Sequence, residues 1–304
     1  MQGSNSLNLP EKFTGTITGM FGEKGRQWLE ELPEIIEKIA AEWSLQVGEA
    51  FPNLSYHYVA SCVCADGMEA VLKLGFPGED SEFFNEVKML QFYGAQATVE
   101  LLRVSDSHFA MLLEKLVPGE TLGELCLRDD VRAAQIAVDI LKKTVKKAPP
   151  DGGGFFWLEN WIAGFERAKN TAFPQQSIKK AQDLFNKLAG DRAEKFLLHG
   201  DFHHENILSA EREPFLLIDP KGLVGSVGYD VAVFLNNHRN WLKRSPDLAA
   251  KLDHCTGKFA EAFQIEPQAL REWAFVQMVL SAWWTCEEKG NWESELSKAE
   301  IWRV

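Results

Sequence analysis

Two short apolar runs, each ending in an acid, constrain this chain most. Leu197-Leu198 runs into His199-Gly200-Asp201-Phe202-His203-His204-Glu205-Asn206, and Phe215-Leu216-Leu217-Ile218 ends in Asp219. Apolar runs of this length read as buried strands. Acids and an amide at their loop ends make a place to hold a cation beside a reacting hydroxyl. Asp201 is the candidate proton acceptor. Asn206 and Asp219 carry hard oxygen ligands of the kind Mg²⁺ prefers beside phosphate oxygens. A rival reading takes His199, Asp201, His203, His204 and Asp219 as a transition-metal cluster for hydrolysis.

The 304 residues can bury a large core, and 45% hydrophobic with 25% charged residues is ordinary globular composition. No apolar run approaches the roughly 18–20 residues of a membrane span. Met1-Gln2-Gly3-Ser4-Asn5 has neither a basic region nor an apolar signal core. The expected location is cytoplasmic, with no membrane role. A net charge of −12 argues against nucleic acid, which wants a basic face, and suits a cationic small substrate. Nothing in the sequence implies a protein partner. The five cysteines lack metal-ligand spacing. Cys62 and Cys64 read as small strand residues or, less simply, as a redox or metal pair.

Residues 1–18 read as a loosely held arm. Between 22 and 43, Trp28, Leu29, Leu32, Ile35, Ile36, Ile39 and Trp43 recur at helical steps, with Pro33 fitting a helix restart at its first turn. Strands follow over 45–51, 57–65 and 68–74, with Asp66-Gly67 as a tight hairpin turn. Lys73 interrupts an apolar run in the third strand. It lies either on a solvated edge or in a cleft where it meets phosphates. A helix over 82–94 places Glu86 within or beside its apolar arc. A buried carboxylate needs a partner, and Lys73 is the candidate; otherwise Glu86 is a surface residue. Strands over 99–104 and 108–114 complete a mostly antiparallel five-stranded sheet.

Pro118-Gly119 breaks the pattern, and the chain beyond it reads as almost wholly helical. The expected organisation is an arm and helical preface over 1–44, a sheet domain over 45–117 and a helical domain over 118–304. The linking backbone from Glu114 to Leu116 would offer amide and carbonyl groups to an adenine edge. Helices are expected over 121–147, 155–169 and 176–188, with a flexible loop at 149–154. Asp230 reads either as a helix N-cap or as a buried acid hydrogen-bonding the loop around Asp201. Trp273, Trp283, Trp284, Trp292 and Trp302 read mainly as core; an aromatic, acidic wall with Glu287 and Glu288 is the alternative.

The His-Gly-Asp-x-His-x-x-Asn string, Val71-Leu72-Lys73, Leu113-Glu114 with Pro118-Gly119, and Ile218-Asp219-Pro220-Lys221-Gly222 together resemble the aminoglycoside phosphotransferase family. Gly25-Arg26-Gln27-Trp28-Leu29 narrows the likeness to its streptomycin 6-kinase branch, the aminoglycoside/hydroxyurea antibiotic resistance kinases. Protein kinases use the same Asp–Asn–Asp order. The resemblance implies an α+β, protein-kinase-like two-lobed fold: a small N-terminal lobe with a five-stranded antiparallel sheet plus helix, and a larger, mostly helical C-terminal lobe. It implies an ATP- and Mg²⁺-dependent O-phosphotransferase acting on a small-molecule alcohol. Lys73 would meet the phosphates and Glu86 would orient it. Asp201 would be the catalytic base, and Asn206 and Asp219 would hold Mg²⁺. His199 and His203 would shape the loop. Ser55 lies in the turn expected to cover the phosphates, Pro52-Asn53-Leu54-Ser55-Tyr56, which departs from the family in having no glycine. The acceptor is expected to be a streptomycin-like aminocyclitol. The alternatives are a kinase for an unrelated amino alcohol or sugar, and a kinase-like nucleotide binder without transfer activity.

Overall fold

The computed structural model describes residues 7–78, 82–149, 151–190, 194–288, 290–302 and 304. Residues 1–6 of the expected arm and Pro150 of the expected loop lie outside them. The chain divides into two compact units, Met1–Val117 and Pro118–Val304.

The first unit opens with α1 (Glu11–Trp43). The expected loose arm is helical from Glu11, because Phe13 and Ile17 are fully buried. Pro33 lies inside the helix and restarts nothing; the break is at Gly22, with φ 57° and ψ −127°. Only glycine adopts that conformation without strain. The bend seats Gly25 against Ile17, where an added Cβ would stand 2.5 Å from a carbonyl oxygen. Proline tolerated in a helix and a glycine that breaks it are hard to tell apart by propensity alone.

The strands β1 (Gln46–Ala50), β2 (Tyr58–Val63), β3 (Glu69–Leu74), β4 (Leu101–Ser105) and β5 (Ala110–Glu114) form an antiparallel sheet in the order β1-β2-β3-β5-β4. Ala70, Leu72 and Leu74 of β3 join Trp28, Leu32, Ile36 and Ile39 of α1 in one core. Side chains alternate across a strand, so Val71 and Lys73 point to the face away from that core. There α2 (Glu82–Tyr93) supplies Glu86.

The second unit is less purely helical than its pattern suggests. Pro118-Gly119 does not leave a sheet but opens one: β6 (Pro118–Thr121) pairs with β10 (Ile207–Ala210), which pairs with β11 (Phe215–Leu217). A further sheet has the order β7 (Lys146–Lys147), β9 (Phe196–Leu198), β12 (Leu223–Gly225), β8 (Phe156–Trp157). These strands are two to four residues long, too short for an alternating pattern to register. Helices α3 (Leu122–Arg128), α4 (Asp130–Thr144), α5 (Leu158–Ala163), α6 (Gln175–Leu188), α7 (Val227–Leu242), α8 (Leu248–Phe263), α9 (Pro267–Glu287) and α10 (Trp292–Ser297) complete the unit. Trp273, Trp283 and Trp302 are buried in its core. No helix among the described residues is long and apolar enough to cross a membrane.

Candidate active site

In the first unit the site begins with a lysine on a central strand. β3 lies between β2 and β5, and Lys73 stands opposite Val59 on one side and Met111 on the other. The solvated-edge reading therefore fails, and Lys73 is 6% exposed. Its Nζ lies 2.8 Å from Glu86 Oε1 and 2.6 Å from Oε2. Glu86 is buried too, so each charge offsets the desolvation of the other. Ser55 is exposed in the bend between β1 and β2. Glu114 ends β5; its amide N–H donates to the Glu100 carbonyl at 2.9 Å, and its Oε2 accepts the Glu100 N–H at 3.0 Å. Lys115 bonds Glu69 at 2.6 Å and Leu116 is buried. The linker is thereby tied to the sheet.

In the second unit β9 delivers His199-Gly200-Asp201 and β11 leads to Ile218-Asp219. Asp230, in the first turn of α7, grips the loop through its backbone: Oδ2 accepts the His199 N–H and Oδ1 the Gly200 N–H, both at 2.8 Å. The N-cap of α7 is Ser226, whose Oγ accepts from the Gly228 N–H. The buried-acid reading of Asp230 holds and the N-cap reading falls. Burial pushes the Asp230 carboxyl up to about 7, against the two N–H donors that favour its charge. Gly200 adopts φ +84°, and an added Cβ would meet Lys221 and Leu223 side-chain atoms at 3.1 Å. Conformation and space both demand glycine there.

His199 is a neutral brace. Its Nε2 lies 2.9 Å from the Ile218 carbonyl, and its Nδ1 accepts the Asp201 N–H at 3.2 Å. Nε2 therefore carries the proton and donates. Burial drives its pKa down to about 4. The Lys221 N–H also donates to the His199 carbonyl, at 2.7 Å, and the Ile218 N–H donates to the Asn206 carbonyl at 3.0 Å. These bonds set Asn206 and Asp219 side by side.

The Asn206 amide nitrogen donates to the Asp201 carbonyl at 2.9 Å and lies 3.3 Å from Asp201 Oδ2. That leaves its Oδ1 able to face a cation. His203 Nε2 lies 3.4 Å from Asp201 Oδ2, while its Nδ1 accepts the Glu205 N–H. Burial alone would raise the Asp201 carboxyl; His203 and Lys221 outweigh it, and the carboxyl stays below its usual range. Asp219 adopts a left-handed φ of 56°, and Lys221 Nζ lies 3.3 Å from its Oδ2. An amide oxygen and a carboxylate beside a second carboxylate form a donor set that fits Mg²⁺.

The transition-metal reading of the His-rich string does not survive as a single cluster. His199 bonds backbone, His203 turns to Asp201, and His204 turns to His238. Lys221 carried no role in the sequence reading, although its place two residues after Asp219 was visible. Glu287, which the alternative reading puts in an acidic, aromatic wall, is gripped by Arg167 through two bonds, Nε–Oε1 at 2.6 Å and Nη2–Oε2 at 3.0 Å. Trp284 packs edge-on to Trp161 with ring centroids 5.1 Å apart.

Residues 45–290 match the model of a family described as aminoglycoside/hydroxyurea antibiotic resistance kinase. Over 298 residues the chain is 25% identical to a streptomycin 6-kinase of Streptomyces glaucescens, covering 95% of this chain and 94% of that one. Over 290 residues it is 29% identical to a hydroxyurea phosphotransferase of Kitasatospora aureofaciens, covering 92% and 81%. A thermostable mutant of aminoglycoside phosphotransferase APH(4)-Ia, solved in ternary complex with AMP-PNP and hygromycin B, aligns at a TM-score of 0.64 and 16% identity. That match covers 88% of this chain and 97% of the other, and the likeness is one of fold, protein-kinase-like in both.

Proposed function

Since the chain belongs to the aminoglycoside/hydroxyurea antibiotic resistance kinase family, we propose that it moves the γ-phosphoryl group of ATP to a hydroxyl of a cationic, streptomycin-like aminocyclitol. The carrying observation is the Asp201 carboxylate, kept ionised between His203 and Asn206 in a loop clamped by Asp230. An ionised carboxylate at that place is what an alcohol needs as hydrogen-bond acceptor.

In this reading Asp201 accepts the acceptor's O–H, aligns it for in-line attack and takes its proton late. A low pKa suits that order, because the alcohol becomes strongly acidic only as its bond to phosphorus forms. Asn206 Oδ1 and the Asp219 carboxylate are the residues that would hold Mg²⁺, which neutralises charge on phosphate oxygens when bound. Lys73, kept extended by Glu86, binds the phosphates of the nucleotide. Ser55 and the backbone from Glu114 to Leu116 contact the nucleotide. His199 and Asp230 position the loop and exchange no proton with substrate. Positioning and electrostatics supply most of the rate in a loose transition state.

The hydroxyurea phosphotransferase relative, at 29% identity, favours a second reading in which the acceptor is the N-hydroxyl of a small urea. An ATP-coupled assay with streptomycin, hydroxyurea, amino alcohols and sugars decides between them. Streptomycin is expected to yield a phosphorylated product. Turnover of a simple amino alcohol or sugar without streptomycin product would reassign the acceptor. ATP binding with no transfer to any alcohol would make the chain a nucleotide-binding module.

A further inference from the structure

Beneath the loop that carries Asp201 lies a second group of ligating side chains that the kinase reading does not use. Cys126 comes from α3, His204 from the turn between Asp201 and Asn206, and His238 from α7. All three belong to one unit, and their exposures are 1%, 0% and 0%. Cys126 Sγ lies 3.4 Å from His238 Nδ1, and His204 Nε2 lies 3.0 Å from the same atom. The three ligand atoms all lie within 4.8 Å of one another.

Hydrogen bonding satisfies this arrangement poorly. An imidazole nitrogen carries either one proton or one lone pair. If His238 Nδ1 holds a lone pair, the Cys126 thiol and the His204 N–H compete for it. If it holds a proton, it serves one neighbour and abandons the other. Three polar atoms converge on one point, and no placement of protons satisfies all three. The outer nitrogens, His204 Nδ1 and His238 Nε2, have no hydrogen-bond partner, and an ion at the shared point would leave them as they are.

We propose that Cys126, His204 and His238 form a buried site for one d¹⁰ metal ion of the thiolate- and imidazole-binding class, Zn²⁺ or Cu⁺. Metal–nitrogen bonds of about 2.0–2.1 Å and metal–sulfur bonds of about 2.3 Å set tetrahedral N···N and N···S edges near 3.3 and 3.6 Å. The two short contacts are close to those edges. The His204–Cys126 edge lies within 4.8 Å and must shorten toward about 3.6 Å for one ion to take all three, as the bond lengths require. One sulfur and two imidazoles, with no oxygen ligand, exclude Mg²⁺ and select the softer ions. Phe234 stacks on the His204 ring at 4.1 Å and 17° and fixes its plane.

Around the cluster, the Asp130 carboxylate acts on both Cys126 and His238, and Lys251 bonds Asp130 at 2.7 Å. Burial first, then the Asp130 charge, push the thiol up to about 12 against Lys251, so the ion must displace its proton to solvent as the metal–sulfur bond forms. A site this enclosed loads while the chain folds and then resists chelators. It would tie the turn before Asn206 to α3 and α7.

The test uses the full chain, expressed in zinc-supplemented medium and dialysed against a chelator. Metal analysis is expected to find about one zinc or copper per chain. Refolding in Co²⁺ should give thiolate-to-cobalt absorption in the near ultraviolet. Asp219→Ala should keep that band and Cys126→Ser should lose it, which separates this site from the Mg²⁺ ligands whether or not the chain proves to be a kinase. Should Cys126→Ser fail to fold, slower alkylation of Cys126 in the refolded cobalt form than in the chain refolded without metal decides in its place. A native chain holding under about a tenth of an equivalent of either metal, with no cobalt–sulfur band after refolding, overturns the proposal and leaves a hydrogen-bonded core.

Discussion

The two compact units hold the charged groups of their candidate sites in opposite ways. In the first, Lys73 and Glu86 neutralise each other between two regular elements, a strand and a helix. In the second, Asp201, Asp219 and Asp230 are gathered by loops and by the first turn of α7, with Lys221 as a nearby positive charge. The first arrangement is balanced as it stands. The second carries excess negative charge and is held in place largely by backbone N–H groups and neutral imidazole. Placing the negative groups beforehand costs stability but spares reorganisation when a cation and an alcohol arrive. A kinase needs both habits: a lysine that stays aimed, and oxygens that stay available.

Removing the proposed base, Asp201, should strike the second arrangement hardest. Asp201→Asn should lower kcat by about 10³ or more, with nucleotide affinity changed only a few-fold; steady-state rates and nucleotide titration check it. Near-normal turnover by that variant would show that the carboxylate does not serve the acceptor. The first arrangement should respond through stability. Glu86→Gln takes the carboxylate away from a buried ammonium, at a cost of up to about 3–5 kcal/mol, read by denaturant titration. The double variant Lys73→Met/Glu86→Met should recover most of that loss while remaining inactive. If stability fails to return, the pair does more than balance charge.

Smaller effects sharpen the contrast. Asp230→Asn replaces a carboxylate acceptor of two N–H bonds by an amide that can accept only on one side. The loss of a charge-assisted bond, about 1.5–3 kcal/mol, should lower kcat roughly ten- to hundredfold and leave the nucleotide KM nearly unchanged. The same residue sets a pH signature. Its folded carboxyl is pushed up to about 7 from an ordinary value of 3.8. The folded state therefore keeps a proton that the unfolded state has released. This contribution is fully present below the unfolded value and is lost as pH rises toward and through about 7. Between those values stability should fall by up to about 1.4 kcal/mol per pH unit on this account. Denaturant titrations from pH 5 to 7 should show that slope removed in Asp230→Asn. An unchanged slope would assign the dependence to other groups.

Legibility in the sequence followed the same division. The five strands of the first unit are five or six residues long, enough for alternation to show, and the inner position of Glu86 followed from helical period. The site string of the second unit could be read because acids and an amide ended apolar runs. What could not be read was how that string is supported. Asp230 admitted two roles because an acid early in a helix looks the same whether it caps the helix or reaches across to another strand. β6 hid behind Pro118-Gly119, since a lone pair of turn residues carries no sign of the chain it will pair with. The neighbourhood of Cys126, His204 and His238 draws on three distant stretches, and no local pattern joins them. Residues 1–18 read as an arm because they carry few apolar positions and no clear period, yet Phe13 and Ile17 are fully buried.

Asp219 combines its proposed ligand role with a left-handed backbone. Among residues with a side-chain oxygen at the right reach, only aspartate and asparagine enter that region readily. Lengthening to glutamate would therefore misplace the oxygen and distort the turn together, and β-branched replacements would be worse. Drift at this position is confined to a two-letter alphabet, one letter of which gives up the charge.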